Sequence, residues 1–243
     1  MPERVHSTLR RVLGCPATHV GNTLWMRPVP FAQLPREVGL ALTQAATLRE
    51  FAAGTEVFGH GDAVTSLHLI ASGRAVARQQ LSAQLWLTVN VIGPGEMFGE
   101  MGLFMDAPIR TAAVIAADDL TTFELARADF TELRRQHPSI SDLFLRSLSE
   151  RSAMLLRRLV EGQYLDRSVR VARRLLEVAA METEGDDPTS VPLTSSDVAG
   201  LTGVFLDHIN PVLADLVSWG LIHLEEERIN LVDVARLRQH AGW

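Results

Sequence analysis

Between residues about 50 and 126 the apolar positions come in short bursts rather than in a helical rhythm. "GTEVFGHGD", "LHLIASGRAVA", "LWLTVNVIGPGE", "RTAAVIA" and "LTTFEL" are strand-length segments broken by Gly-Asp and Gly-Pro-Gly turns. That spacing predicts an all-β sandwich or barrel. Before it, "FAQLPREVGLALTQAATL" reads as a helical lead-in. After it, "ARADFTELRRQHP" reads as a short helix that Pro138 stops.

The period then changes. From about 139 to 163, Leu145, Leu148, Ser152, Leu155, Leu159 and Gly162 recur at alternating steps of three and four. This is a heptad-type seam, imperfect at Ser152 and Gly162, and one helix edge cannot satisfy itself. Its partner is either the β unit or a second copy of the helix. "RSVRVARRLLEVAAM" continues helically into an acidic turn region, "ETEGDDPTSVP". In the last fifty residues, "LTSSDVAGLT" opens on Thr194 as an N-cap with Asp197 three residues on. Gly203 marks a tight turn, "PVLADLVSWG" runs helically to Gly220, and "LIHLEEERINLVD" looks like a hairpin. Two helices joined at a glycine and followed by a hairpin outline a winged helix-turn-helix. At the other end, Val5, Leu9, Val12 and Leu13 fit one helical face, which suits a docking helix better than a membrane anchor.

Composition narrows the reading. The 243 residues are enough for two modest domains or one large one, and 47 % hydrophobic content with 21 % charge suits a packed globular core. Every one of the 23 basic residues is arginine. The formal net charge of −6 is unevenly spread: residues 167–243 carry seven arginines against twelve acids, whereas residues 1–30 are net +3. An acidic C-terminal third argues against a general nucleic-acid surface. Cys15 stands alone, so no intramolecular disulfide forms, and a cytoplasmic location is expected. No run approaches the ~20 apolar residues of a membrane span. His6, His19, His60, His68, His137, His208, His223 and His240 show no metal-ligand spacing, and no nucleophile–base arrangement stands out. No metal site and no enzyme are expected.

The chemistry concentrates in "GEMFGEMGLFMDAPIRTAAV", residues 95–114. A short helical turn after Gly99 would present free amides to an anion. Arg110 can fork onto phosphate oxygens, and Thr111 adds a hydroxyl donor. Glu100, acceptor-only when ionised, suits a sugar hydroxyl. The competing reading is a buried Glu100–Arg110 pair that serves structure alone.

This stretch resembles the phosphate-binding cassette of cyclic-nucleotide-binding domains, and the order of parts resembles the CRP/FNR family of bacterial transcription regulators. The resemblance implies an α+β protein: a β-roll (jelly-roll) cyclic-nucleotide-binding domain over 31–138 after a helical arm at 1–30, a dimerisation helix over 139–165, and a winged helix-turn-helix over 166–243. It implies that Glu100 binds a ribose hydroxyl and that Arg110 binds the cyclic phosphate, helped by Gly99, Thr111 and the Ala112 amide. In the family's cyclic-AMP sensor two adjacent hydroxyl residues of the long helix meet the adenine. Counting back from "YLD" at Tyr164 to Asp166, Leu155 and Leu156 stand there, so the base end is apolar and cAMP and cGMP both stay open as effectors.

At the other end the resemblance implies that Ser195, Leu206, His208 and Asn210 face double-stranded DNA. Where one subgroup of the family reads His-Val-Asn-Arg, this chain has His208, Ile209, Asn210 and Pro211. The arginine is gone. A helix starting near Leu206 must kink at Pro211, which costs ~3 kcal/mol in a helix interior. Alternatively Asn210 is the N-cap and Pro211 the first helical residue, which is comfortable but shortens the helix. With Glu225, Glu226 and Glu227 in the wing, weak or altered DNA recognition is expected. The resemblance therefore implies a homodimeric, effector-gated transcription regulator with DNA and RNA polymerase as partners. Two alternatives stay open: a cyclic-nucleotide-binding adaptor whose degenerate helix-turn-helix contacts protein, and a nucleotide-independent regulator on the same scaffold.

Overall fold

The structure is a computed structural model that describes residues 35–83, 85–106, 108–181 and 189–243. The predicted arm at 1–30, with Cys15, lies outside the described residues. Helix α1 (Arg36–Ala45) leads into eight strands: β1 (Thr47–Phe51), β2 (Glu56–Phe58), β3 (Ser66–Ser72), β4 (Ala75–Ser82), β5 (Leu85–Ile92), β6 (Met97–Phe98), β7 (Ala113–Ala116) and β8 (Leu120–Ala126). They form two antiparallel four-stranded sheets, ordered β1-β8-β3-β6 and β2-β7-β4-β5. The glycine-punctuated bursts thus become a sandwich. Alternation within β8 explains the layering: Leu120 and Ile70, with Phe98 and Val114, fill the space between the sheets, whereas Phe123 and Leu125 face outward.

That outward face needs a cover, and helices supply it. Helix α2 (Arg127–Gln136) brings Phe130 and Leu133; helix α3 (Pro138–Tyr164) brings Ile140, Leu143 and Phe144. The Phe130 and Phe144 rings pack at 4.9 Å, and each such burial contributes roughly 1.5–3 kcal/mol. Pro138 does more than end α2. It is the first residue of α3, where its missing N–H is not needed. Only the start of α3 and one side of it are covered. Leu145, Ser152, Leu155, Leu159 and Gly162 of the heptad seam are exposed and Leu148 is half-buried, so the seam does not pack on the β unit.

Helix α4 (Arg167–Ala179), β9 (Ser190–Val191), α5 (Ser195–Thr202), α6 (Leu206–Ser218), β10 (Ile222–Leu224), β11 (Ile229–Leu231) and α7 (Val234–Ala241) complete the chain. The small sheet β10-β11-β9 with α5 and α6 makes the winged helix-turn-helix outline. Thr194 and Asp197 form the capping box read from the sequence, and Gly203 sits at φ 64° between the two helices. The core of this unit, Leu175, Leu193, Val198, Ile209, Leu213 and Leu216 among others, is continuous with Val76 of β4 and Val91 of β5.

One of the two geometries open for Pro211 is overturned. Asn210 is not an N-cap: α6 starts at Leu206 after Phe205, and Pro211 lies inside it. Ile209, Leu213 and Leu216 are buried on one face, and that apolar stripe holds the helix together across the proline. Pro211 lacks the N–H that would bond the Asp207 carbonyl four residues back. Pro211→Ala is therefore expected to raise stability by about 1–3 kcal/mol. Urea denaturation followed by circular dichroism measures it; an unchanged midpoint would mean that α6 bears no strain at Pro211.

Candidate functional site

The stretch from Gly99 to Ala112 folds as a short 3-10 helix (Met101–Phe104), a turn and the approach to β7. Gly99 adopts φ 80°, which favours glycine, and a Cβ there would collide with Nη1 of Arg110. The glycine is therefore needed twice, for the turn and for the guanidinium that lies over it. Glu100 and Arg110 are 2 % and 3 % exposed, and they do not pair with each other.

Arg110 is held by neutral groups. Its Nη1 donates to the Gly99 carbonyl at 2.9 Å and its Nη2 to Ser66 Oγ at 3.4 Å, while the guanidinium carbon stands 3.9 Å from the Phe58 ring centroid. Burial pulls this guanidinium below its usual pKa, opposed by the charges of Asp62, Glu124 and Glu100. Among the described residues no carboxylate bonds it, and its buried Nε has no hydrogen-bond partner. A buried cation with no carboxylate bonded to it is costly unless an anion completes it.

Glu100 is engaged from a distance in sequence. Arg151 of α3 donates to Glu100 Oε1 at 2.5 Å and to the Met97 carbonyl at 3.3 Å, leaving Glu100 Oε2 buried without a partner. Two orphaned polar atoms, one acceptor on Glu100 and one donor on Arg110, belong to the same turn. Thr111 Oγ1 donates only to Met101 Sδ, at 3.9 Å, and a thioether is a weak acceptor that a better one displaces. A ligand offering hydroxyl and phosphate groups would satisfy what the protein leaves unsatisfied.

Helix α3 is bolted again two turns along the same side. Arg158, two turns beyond Arg151, donates to the Val89 carbonyl at 3.2 Å and lies 3.8 Å from Glu177 of α4. Burial, then the neighbouring Arg174, bring the Arg158 pKa down to about 10. Glu161 accepts from Arg173 and Arg174, and Arg174 also reaches Glu177. Leu155 and Leu156, the predicted base-facing pair, are 54 % and 64 % exposed, with Leu155 one turn beyond Arg151. Sequence reasoning passed over Arg151 and Arg158. Their spacing of seven, beside the apolar seam, was the available signal.

The positions expected to face DNA are not gathered with this site. Ser195 opens α5 and is half-buried; Leu206, His208 and Asn210 are exposed at the start of α6. The exposed side of α6 also bears Asp207, Pro211, Ala214 and Asp215, and it has no cation. In the wing, Glu225, Glu226 and Glu227 are exposed, whereas Arg228 is tied to Ser190 Oγ at 2.9 Å.

Comparison with known proteins follows the same division. The family model of the cyclic nucleotide-binding domain matches residues 48–137, and that of the Crp-like helix-turn-helix domain matches 169–240. The chain is 30 % identical over 215 residues to the cyclic AMP receptor protein of Thermus thermophilus, covering 85 % of this chain and 93 % of that one. It is 28 % identical over 204 residues to the CRP-like cAMP-activated global transcriptional regulator of Mycobacterium tuberculosis, covering 83 % and 91 %. Among solved structures it shares the fold of the c-di-GMP-responsive global regulator CLP of Xanthomonas campestris, with TM-score 0.67, 22 % identity and 82 % and 100 % coverage. A CRP-family transcriptional regulator from Thermus thermophilus gives TM-score 0.66, 22 % identity and 80 % and 97 % coverage.

His68 connects the site to stability. It is buried, bonds Thr122 Oγ1 at 3.0 Å and stacks on Phe98 at 4.9 Å. Burial holds its pKa at about 4, against the pull of Glu124 and helped by Arg110. A depressed histidine favours the fold above pH 6.5, and that support is lost as the pH falls from 6.5 towards 4. Between pH 7 and pH 5 the loss is about 2 kcal/mol. Urea titrations at the two pH values should show it in the wild type, and His68→Gln should remove most of it.

Proposed function

Since the chain belongs to the CRP/FNR family of bacterial transcription regulators, we propose that it is a DNA-binding homodimer gated by a cyclic nucleotide. One observation carries the effector: the buried Arg110 guanidinium, with no carboxylate bonded to it among the described residues and an orphaned Nε. Arg110 would receive the cyclic phosphate and Thr111 would turn its hydroxyl from Met101 Sδ to a phosphate oxygen. Gly99 and the Ala112 amide keep that side of the site open and polar. Glu100 Oε2 would accept the ribose hydroxyl. The names of the Thermus and Mycobacterium relatives support cyclic AMP as one effector.

The base end carries no hydroxyl at Leu155 or Leu156. An apolar wall rejects a wrong base weakly, because no buried polar group is left unpaired by it. Calorimetric titration should therefore give cAMP and cGMP affinities within about tenfold of each other, and Arg110→Ala should abolish both. Heat from neither nucleotide in the wild type would remove the effector from this reading.

The exposed Leu145, Leu155, Leu156, Leu159 and Val160 of α3 suit a second copy of the same helix, which accounts for the homodimer. Residues 166–243 would then form the DNA-facing module, with RNA polymerase as a further partner of the complex.

For the DNA end, Ser195 would approach a phosphate, while Leu206, His208 and Asn210 reach the major groove. Without arginine on α6 a guanine has no bidentate partner. Asn210 suits adenine, and Leu206 suits a thymine methyl. Selection from random duplexes at low salt should enrich half-sites whose α6-contacted positions are A·T, and Asn210→Ala should relax them. The cation-free face of α6 and the acidic wing favour one second reading, an adaptor that contacts protein. No enriched duplex, with or without nucleotide, would favour it.

A further inference from the structure

The β4–β5 hairpin holds the helix-turn-helix by its first helix. Asp197, in the first turn of α5, divides its carboxylate between two tasks. Oδ2 accepts from the Thr194 backbone N–H at 2.9 Å and from the Thr194 hydroxyl at 2.7 Å, which closes the helix cap. Oδ1 accepts from the Thr88 hydroxyl of β5 at 2.5 Å and from Arg78 Nη2 of β4 at 3.1 Å. Arg78 Nε in turn donates to Thr88 Oγ1 at 3.3 Å. Burial pushes the Asp197 carboxyl up, but the hydrogen bonds from Thr194 and Thr88 and the Arg78 charge outweigh it, so the group stays ionised at neutral pH.

One turn further along the same face, Gly200 lies flat on β5. A Cβ there would stand 2.5 Å from the Thr88 carbonyl oxygen and 2.7 Å from its backbone nitrogen. Beneath these contacts Val76 and Val91 join the apolar core of the C-terminal unit. The next residue of β5, Val89, gives its carbonyl to Arg158 of α3. Thr88 and Val89 are thus the place where the hairpin receives both the reading unit and the long helix.

When a helix-turn-helix docks on DNA, its first helix crosses the sugar-phosphate backbone, and amides and hydroxyls at helix starts make phosphate contacts. Here the cap of α5 is engaged on its β5 side. The Thr194 hydroxyl is spent on Asp197, the Asp197 carboxylate is turned to Thr88 and Arg78 of the hairpin, and Gly200 lies against the Thr88 backbone. We propose that this contact is an autoinhibitory clasp: Arg78 and Thr88 hold α5 against the β-roll, and DNA competes with the hairpin for that end of the helix. The inference rests on the reading of residues 166–243 as a DNA-binding module. Because α3 bonds Glu100 through Arg151 and Val89 through Arg158, a change at the nucleotide site and the release of the clasp share one rigid element.

Gly200→Ala is the sharpest probe. In an α-helix interior alanine is favoured over glycine, so α5 itself is not weakened, yet the added methyl cannot lie on the Thr88 backbone. Arg78→Ala with Thr88→Val removes the polar half of the clasp independently, and Gln136→Ala on the exposed side of α2 is the control. Hydrogen exchange by mass spectrometry on the full chain reads the contact, and retention of labelled genomic DNA fragments at low salt reads its consequence. Both clasp variants should exchange at least tenfold faster over 85–92 and 195–202, and should half-saturate DNA at about a tenfold lower protein concentration. Exchange unchanged from wild type overturns the clasp. Faster exchange with wild-type DNA retention overturns autoinhibition and leaves the DNA reading standing. Faster exchange with no DNA retained by any form, nucleotide present or absent, overturns the DNA reading and autoinhibition with it.

Discussion

A guanidinium buried among neutral groups governs the site. Arg110 can be kept where it is because Gly99 has no side chain, because Phe58 offers its ring face, and because Ser66 and the Gly99 carbonyl take two of its N–H groups. None of these cancels the charge. A carboxylate bonded to it would, and Glu100, the buried carboxylate of the same turn, has been drawn away by Arg151. The two charges of one turn are thereby held apart, each keeping a buried polar atom without a partner. Had they paired, the turn would be a structural ion pair with nothing to offer.

Holding Glu100 away ties α3 to the Gly99–Ala112 turn. The helix buries its beginning under the sandwich through Ile140, Leu143 and Phe144, then leaves that surface and carries charge instead: Arg151 to the cassette, Arg158 to β5 and Glu177, Glu161 to two arginines of α4. Buried arginines joined to carboxylates and carbonyls contribute little net stability over an apolar packing of the same volume. Their effect is to fix one arrangement of parts, and here the parts are the Gly99–Ala112 turn, the β4–β5 hairpin and α4.

Much of this was legible in the residues. Short apolar bursts with Gly-Asp and Gly-Pro-Gly turns became the two sheets, Thr194 and Asp197 became a capping box, and Gly203 became the turn between helices. These are local signals, set by backbone preferences over a few positions. The partner of Glu100 was not legible, because Arg151 lies 51 positions away and only the fold brings it close. Asp197 shows both limits in one side chain. Its bond to Thr194 follows from spacing, whereas its bonds to Thr88 and Arg78 span 109 and 119 positions. At Pro211 the local rule offered two geometries, and tertiary packing decided: burying Ile209, Leu213 and Leu216 together outweighed the proline.

Helix α3 bears its exposed leucines on one flank and its anchoring arginines on the other, so any torque applied at the leucines is transmitted as roll about the helix axis. A guanidinium sits roughly 7 Å from that axis, and a roll of about 20° would carry it some 2 Å, enough to part Arg151 from Glu100. Packing of a second copy of α3 on those leucines, as proposed, would therefore act through the same rotation that sets the Arg151–Glu100 contact.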